Sequence, residues 1–157
     1  EPYSIAMTLL ETLGPKASQA KVIATDIDTE ALAKARKGIY PQEQVRKLDE
    51  ARVKRFFQKG TGNHIGLARV RPEVSALVEF MPLNLLAPQW PVKGPFDAVF
   101  CRNIMIYFDK DTQAKILKRF APLMKPDGLL FAGHSENFSY ISDAFKLRGQ
   151  TVYTLAK

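Results

Sequence analysis

Phe96-Asp97-Ala98-Val99-Phe100-Cys101-Arg102-Asn103-Ile104-Met105-Ile106-Tyr107-Phe108 decides the reading of this chain. The run from Ala98 to Cys101 is apolar and stops abruptly at two polar residues, with a tyrosine close behind. Strands buried in α/β sheets read as continuous apolar runs, and ligands sit beyond their carboxyl ends. Arg102, Asn103 and Tyr107 are therefore expected where chemistry takes place in an open α/β sheet. The same event occurs upstream, where Val22-Ile23-Ala24-Thr25 runs into Asp26-Ile27-Asp28 and then a helical pattern. Two apolar strands ending in polar clusters predict a single ligand crevice.

Working outward, the pattern is that of an α/β chain. Residues 1–13 carry Ile5, Met7, Leu9, Leu10 and Leu13, a helix packed on a sheet, and Gly14-Pro15 ends it. Residues 21–25 form the first strand. Asp28 suits the N-cap of a helix over residues 29–37, and Gly38 supplies its stop. Residues 48–58 read as a charged amphipathic helix anchored by Val53, Phe56 and Phe57. After the Gly60-Thr61-Gly62-Asn63 break, short β segments at 66–71 and 76–81 predict a small antiparallel insertion over about residues 59–81. Its edge suits pairing with an extended peptide. Beyond Pro95 the α/β rhythm returns: strand 98–101, a helix over 110–124 capped by Asp109, and a Pro126-Asp127-Gly128 turn. Strand 129–132 follows, then a terminal hairpin across Gly149-Gln150.

Composition narrows the classes. At 157 residues with 46% hydrophobic content, the chain supports one globular domain with a small insertion. No apolar run approaches the ~20 residues of a membrane span, and no charged-then-apolar leader is present. One cysteine, Cys101, excludes an intrachain disulfide and fits a reducing compartment, so a cytoplasmic location is expected. The net charge of +7 suits polyanions or acidic protein surfaces. An acidic protein is the expected partner, because no nucleic-acid-reading motif accompanies the basic groups. Those groups (Lys34, Arg36 and Lys37; Arg52, Lys54 and Arg55; Lys115, Lys118 and Arg119) have the spacing of solvated helix faces.

The residues suited to chemistry are few. An acid closing a strand before a helix binds ribose hydroxyls in nucleotide-binding folds, although it often serves only as a cap. Because Asp28 takes the cap more naturally, Asp26 is left for a ligand. Asn84 beside Leu85 suits reading of an adenine edge with packing on its face, or equally a simple Asx-turn. His134 and Glu136 follow a strand and are read as structural hydrogen-bonding groups. Cys101 is read as buried strand, and His64 has no second ligand in reach, so no metal site is expected.

Several stretches together are specific. Glu1-Pro2-Tyr3-Ser4-Ile5-Ala6-Met7, Ala24-Thr25-Asp26-Ile27-Asp28, the 96–108 stretch and Phe131-Ala132-Gly133-His134-Ser135-Glu136-Asn137-Phe138 resemble, in order, the chemotaxis receptor glutamate O-methyltransferases, the CheR family. Lys125-Pro126-Asp127-Gly128-Leu129-Leu130 resembles the junction before the fifth strand of class I methyltransferases. The resemblance implies an α/β, Rossmann-like class I methyltransferase sheet with a small antiparallel β insertion. Residues 1–157 would then be a C-terminal methyltransferase domain, with the first strand and an N-terminal helical domain missing. It implies methyl transfer from S-adenosylmethionine to glutamate side chains of methyl-accepting chemotaxis receptors, leaving S-adenosylhomocysteine. On the same resemblance Glu1, Asp26, Asn84, Leu85, Arg102 and Asn103 bind the cofactor. Tyr107 stands at the methyl group as the catalytic residue. Gly60, Gly62, Gly66 and Arg69 hold an acidic C-terminal receptor tail, where the bare residues are equally those of an ordinary turn-rich hairpin. The piece by itself is expected to bind cofactor poorly and be inactive. The alternatives are a non-catalytic tail-binding module and another nucleotide-dependent α/β enzyme.

Overall fold

Tyr3, Ala6, Met7 and Leu10 recur at helical spacing, and in the computed structural model this stripe faces the core from α1 (Pro2–Leu13). Pro2 opens the helix where its missing N–H is no loss. The structure describes residues 1–156. It divides into two units, Glu1–Asn84 and Leu85–Lys157, each with its own hydrophobic core.

In the first unit β1 (Val22–Asp26) leads into α2 (Thr29–Lys37). Asp28 caps α2 through Oδ1, which accepts the Glu30 and Ala31 N–H groups at 2.9 and 3.3 Å. Gly38 ends the helix in the left-handed region at φ 63°, where a β-carbon would press on the Tyr3 hydroxyl. Next come β2 (Ile39–Pro41), α3 (Gln42–Val45), α4 (Glu50–Phe56), β3 (Phe57–Lys59), β4 (Leu67–Val70), α5 (Pro72–Ser75) and β5 (Val78–Pro82). β1 and β5 form a parallel pair, and β2, β4 and β3 form an antiparallel sheet in that order. One cluster joins the two: Tyr3, Met7, Phe56, Val70 and Val74 are buried together. Tyr3 donates to the Ala35 carbonyl and meets Phe80 edge-on at 5.7 Å. Burial, with Tyr40 nearby, pushes its phenol up to about 12.

The second unit is a four-stranded sheet in the order β6-β7-β9-β8. It comprises β6 (Phe96–Cys101), β7 (Met124–Ala132), β8 (Phe145–Gly149) and β9 (Val152–Leu155). β6 runs parallel to β7, whereas β9 is antiparallel to both β7 and β8. Between β6 and β7, α6 (Lys110–Phe120) is capped by Asp109, whose Oδ1 accepts the Thr112 N–H at 2.8 Å. Hydrogen bonding from the Thr112 side chain, and then from its N–H, holds the Asp109 carboxyl below its ordinary range. Ile116, Leu117 and Phe120 carry α6 onto Leu130, Phe138 and Tyr153. Among the described residues no helix is long and apolar enough to cross a membrane.

Five expectations change. The β segment at 76–81 is not the second arm of an insertion, because β5 pairs in parallel with β1, Val22 opposite Val78. The antiparallel sheet instead draws its outer strand from residues 39–41, upstream of the expected 59–81 boundary. Phe57 starts a strand rather than continuing a helix, its backbone extended at φ −125°. Pro126-Asp127-Gly128 forms no separate turn: β7 runs through it, taking up the extra residues as an irregularity opposite Phe96 and Ala98. Finally, β6 is not buried throughout. Asp97, Ala98 and Phe100 are exposed, with Phe100 stacked on Phe131 at 4.3 Å.

Candidate functional site

In the first unit the sequence brings two candidates to one strand end. Asp26 is the last residue of β1 and lies opposite Pro82 of β5. The Leu83 N–H donates to the Asp26 carbonyl at 3.0 Å, so Asn84 leaves the sheet beside Asp26. The Asp26 carboxylate is exposed, and its Oδ1 accepts the Asp28 N–H at 3.0 Å. The cap falls to Asp28, while Asp26 spends one oxygen on the Asp28 N–H. Lying just before the first turn of α2, this carboxylate also sits at the positive end of a helix dipole. Glu1 is exposed at the N-cap of α1, where its carbonyl accepts the Ile5 N–H at 3.1 Å.

In the second unit Arg102 and Asn103 follow directly on Cys101, the last residue of β6, paired with Ala132 of β7. Asn103 takes a left-handed conformation, φ 62°, which asparagine tolerates better than most residues. Glu136 faces this turn. Its Oε1 accepts the Asn103 and Gly133 N–H groups, both at 2.8 Å, and its Oε2 accepts the Met105 N–H at 3.0 Å. Gly133 has no alternative here, since a β-carbon would run into the Asn103 side chain and backbone. Met105 is buried and opens a 3₁₀ turn over Met105–Tyr107, which leaves Ile106 and Tyr107 outside, Tyr107 81% exposed. His134 is exposed, and Cys101 is a buried free thiol.

Leu85 is held by residues the sequence did not point to. Its carbonyl accepts from the Trp90 indole and from Arg119, each at 3.3 Å. Arg119 also donates to the Ala87 and Pro88 carbonyls at 2.7 and 3.3 Å, and its guanidinium lies 3.9 Å over the Trp90 ring. The readable signal was a lone tryptophan in a proline-rich loop, a side chain that needs both a cover and a partner for its N–H.

Gly60, Gly62, Gly66 and Arg69 lie elsewhere in the first unit, in the β3–β4 hairpin. Gly60 donates to the Leu67 carbonyl at 2.8 Å, and a β-carbon there would strike the His64 carbonyl. Gly62 and Gly66 have positive φ, 60° and 89°. Arg69 is opposite Gln58 and Ile39, so it occupies the sheet face away from the core side chains of Phe57, Ala68 and Val70. It reaches Gln58 Oε1 only at 3.4 Å. β3 is an outer strand of its sheet. A cleft of about 580 Å³ is lined by apolar residues (Val45, Val53, Phe57) and by charges of both signs (Arg46, Glu50, Lys54, Arg71).

Parallel strands that end in polar residues, closed by an antiparallel terminal pair, define a class: an α/β domain of the class I methyltransferase kind. The family described as CheR methyltransferase, SAM binding domain, matches residues 1–154, and the chain belongs to it. The chain is 62% identical over 157 residues to the chemotaxis protein methyltransferase of Escherichia coli, covering all of this chain and 55% of that protein. To the chemotaxis protein methyltransferase of Salmonella typhimurium it is 60% identical, covering all of this chain and 54% of that protein. It is 51% identical to chemotaxis protein methyltransferase 2 of Pseudomonas aeruginosa, covering 99% of this chain and 56% of that protein. The chain thus spans about half the length of the curated relatives it matches.

Proposed function

We propose that this chain is the cofactor-binding part of an enzyme that methylates glutamate side chains of chemotaxis receptors. The observation that carries the proposal is Asp26: an exposed carboxylate at the carboxyl end of a parallel strand, one oxygen uncommitted, in a chain of the CheR family. The donor set fits S-adenosylmethionine. A carboxylate suits the ribose hydroxyls, an amide beside an aliphatic side chain (Asn84 and Leu85) suits the adenine edge and face, and Glu1 suits an ammonium. Arg102 and Asn103 complete the polar set in the second unit. When bound, S-adenosylmethionine supplies an activated sulfonium methyl group.

The chain's own residues then have little acid–base work. A substrate glutamate, with an ordinary pKa of about 4.3, is ionised at neutral pH and is itself the nucleophile. Orientation and exclusion of water supply the acceleration. Tyr107, exposed on the 3₁₀ turn behind Asn103, offers a hydroxyl to position the incoming carboxylate. The β3–β4 hairpin, with its outer strand and Arg69, supports capture of an acidic receptor tail by strand addition.

The test is methyl transfer by the full-length protein, with radiolabelled S-adenosylmethionine and receptor-containing membranes. The expected result is base-labile label on the receptor. Asp26→Asn should weaken S-adenosylhomocysteine binding by about tenfold, the loss of one charge-assisted hydrogen bond. Cofactor binding without receptor label would point to another acceptor or to a tail-binding module.

A further inference from the structure

Glu136 is the charged side chain that the fold buries among the described residues, 8% exposed. Its carboxylate gathers three backbone N–H groups from two segments far apart in sequence. Asn103 and Met105 follow β6, and Gly133 follows β7. A turn that needed only to close on itself would take the Gly133 bond alone. The bonds from Asn103 and Met105 fix instead the left-handed turn at Asn103, from the side where Gly133 leaves room for it. Glu136 is itself braced, because the Phe138 N–H two residues on donates to the buried Tyr153 hydroxyl at 3.0 Å.

Only a group that accepts at both oxygens satisfies this arrangement. An ionised carboxylate does so, whereas the isosteric amide turns an NH₂ donor toward at least one backbone N–H. We propose that Glu136 is a positioning residue for cofactor binding. It holds the 102–105 backbone in the one conformation that presents Arg102 and Asn103 to S-adenosylmethionine. The inference rests on the cofactor role proposed above for those two residues.

The experiment uses the full-length protein with Glu136→Gln, Glu136→Asp and a control, Val74→Ala. The control empties a buried site of the first unit, remote from these residues in sequence. Affinity for S-adenosylhomocysteine is measured calorimetrically in the cold, where circular dichroism shows each variant folded, and amide resonances are followed by nitrogen-15 NMR. E136Q is expected to weaken binding by roughly tenfold or more, as loss of a charge-assisted hydrogen bond does. It should also move the Asn103, Met105 and Gly133 amides. V74A lowers thermal stability yet leaves affinity within about twofold, since it alters none of the bonds that Glu136 makes. Should E136Q not fold, E136D carries the test, because it keeps the charge but is one methylene too short to reach both segments. A folded Glu136 variant with wild-type affinity overturns the inference alone. Wild-type protein that binds no S-adenosylhomocysteine overturns the cofactor reading and this inference with it.

Discussion

Replacing Arg119 with methionine tests how the loop that begins at Leu85 is held. The guanidinium makes one short bond, 2.7 Å to the Ala87 carbonyl, and two long ones at 3.3 Å to Leu85 and Pro88. Charged hydrogen bonds contribute more than neutral ones, so the short bond counts for about 1.5 kcal/mol and each long one for about 0.5. Its position 3.9 Å over Trp90 adds about 0.5–1 kcal/mol. Methionine keeps part of the packing on the indole, and the site is only half-buried, so the net loss is set at about 2 kcal/mol. In a domain of this size that lowers the melting temperature by roughly 4–8 °C. The assay is urea unfolding of the full-length protein, followed by circular dichroism and by tryptophan emission. Trp90 is the only tryptophan of this chain, and its local environment must change if Arg119 leaves it. Arg119→Lys keeps a point charge but loses the fork, and should cost about half as much. An R119M protein with an unaltered unfolding midpoint and unaltered emission would refute the clamp.

Two further expectations follow from the first unit. Gly38→Ala places a β-carbon at φ 63° and 3.3 Å from the Tyr3 hydroxyl. It should therefore destabilise by about 1–2 kcal/mol in a urea titration. Tyr3, its phenol raised to about 12 by burial, predicts an alkaline limb. The unfolded phenol ionises near pH 10 and the folded one later, so this contribution is intact below pH 10. It is lost as the pH rises toward 12, at up to about 1.4 kcal/mol per pH unit. Tyr3→Phe should flatten that limb in pH-dependent unfolding; an unchanged limb would mean that Tyr3 is not its source.

Legibility followed the range of the interaction. Asp28 and Gly38 were readable because a cap is local chemistry, a side-chain oxygen meeting N–H groups two and three residues on. The same holds for Asp109 and for the terminal hairpin. Residues 76–81 misled because a short alternating strand carries no mark of its partner, and β5 pairs with β1 across more than fifty residues of chain. Phe57 misled because Val53, Phe56 and Phe57 fit a helix face, while the buried side of β3 accepts the same aromatic ring. Of the residues proposed for the site, Asp26 and Asn103 stood out as polar residues at strand ends. The reach of Glu136 did not, because it depends on β6 and β7 ending side by side. Arg119 was read as part of a solvated helix face, since nothing in its spacing distinguishes a clamp from a surface cation.

The bond from the Phe138 N–H to the Tyr153 hydroxyl, together with that from the Ala132 N–H to the Thr151 carbonyl, has a consequence for synthesis. On the ribosome the segments carrying Asn103 and Glu136 emerge well before β9 does. Until residue 153 has cleared the exit tunnel, the Phe138 amide lacks its partner and the loop it steadies lacks its brace. The first unit, whose core closes entirely within residues 3–80, has no such dependence. A nascent chain can thus close the β3–β4 hairpin while the Asn103 turn is still unset.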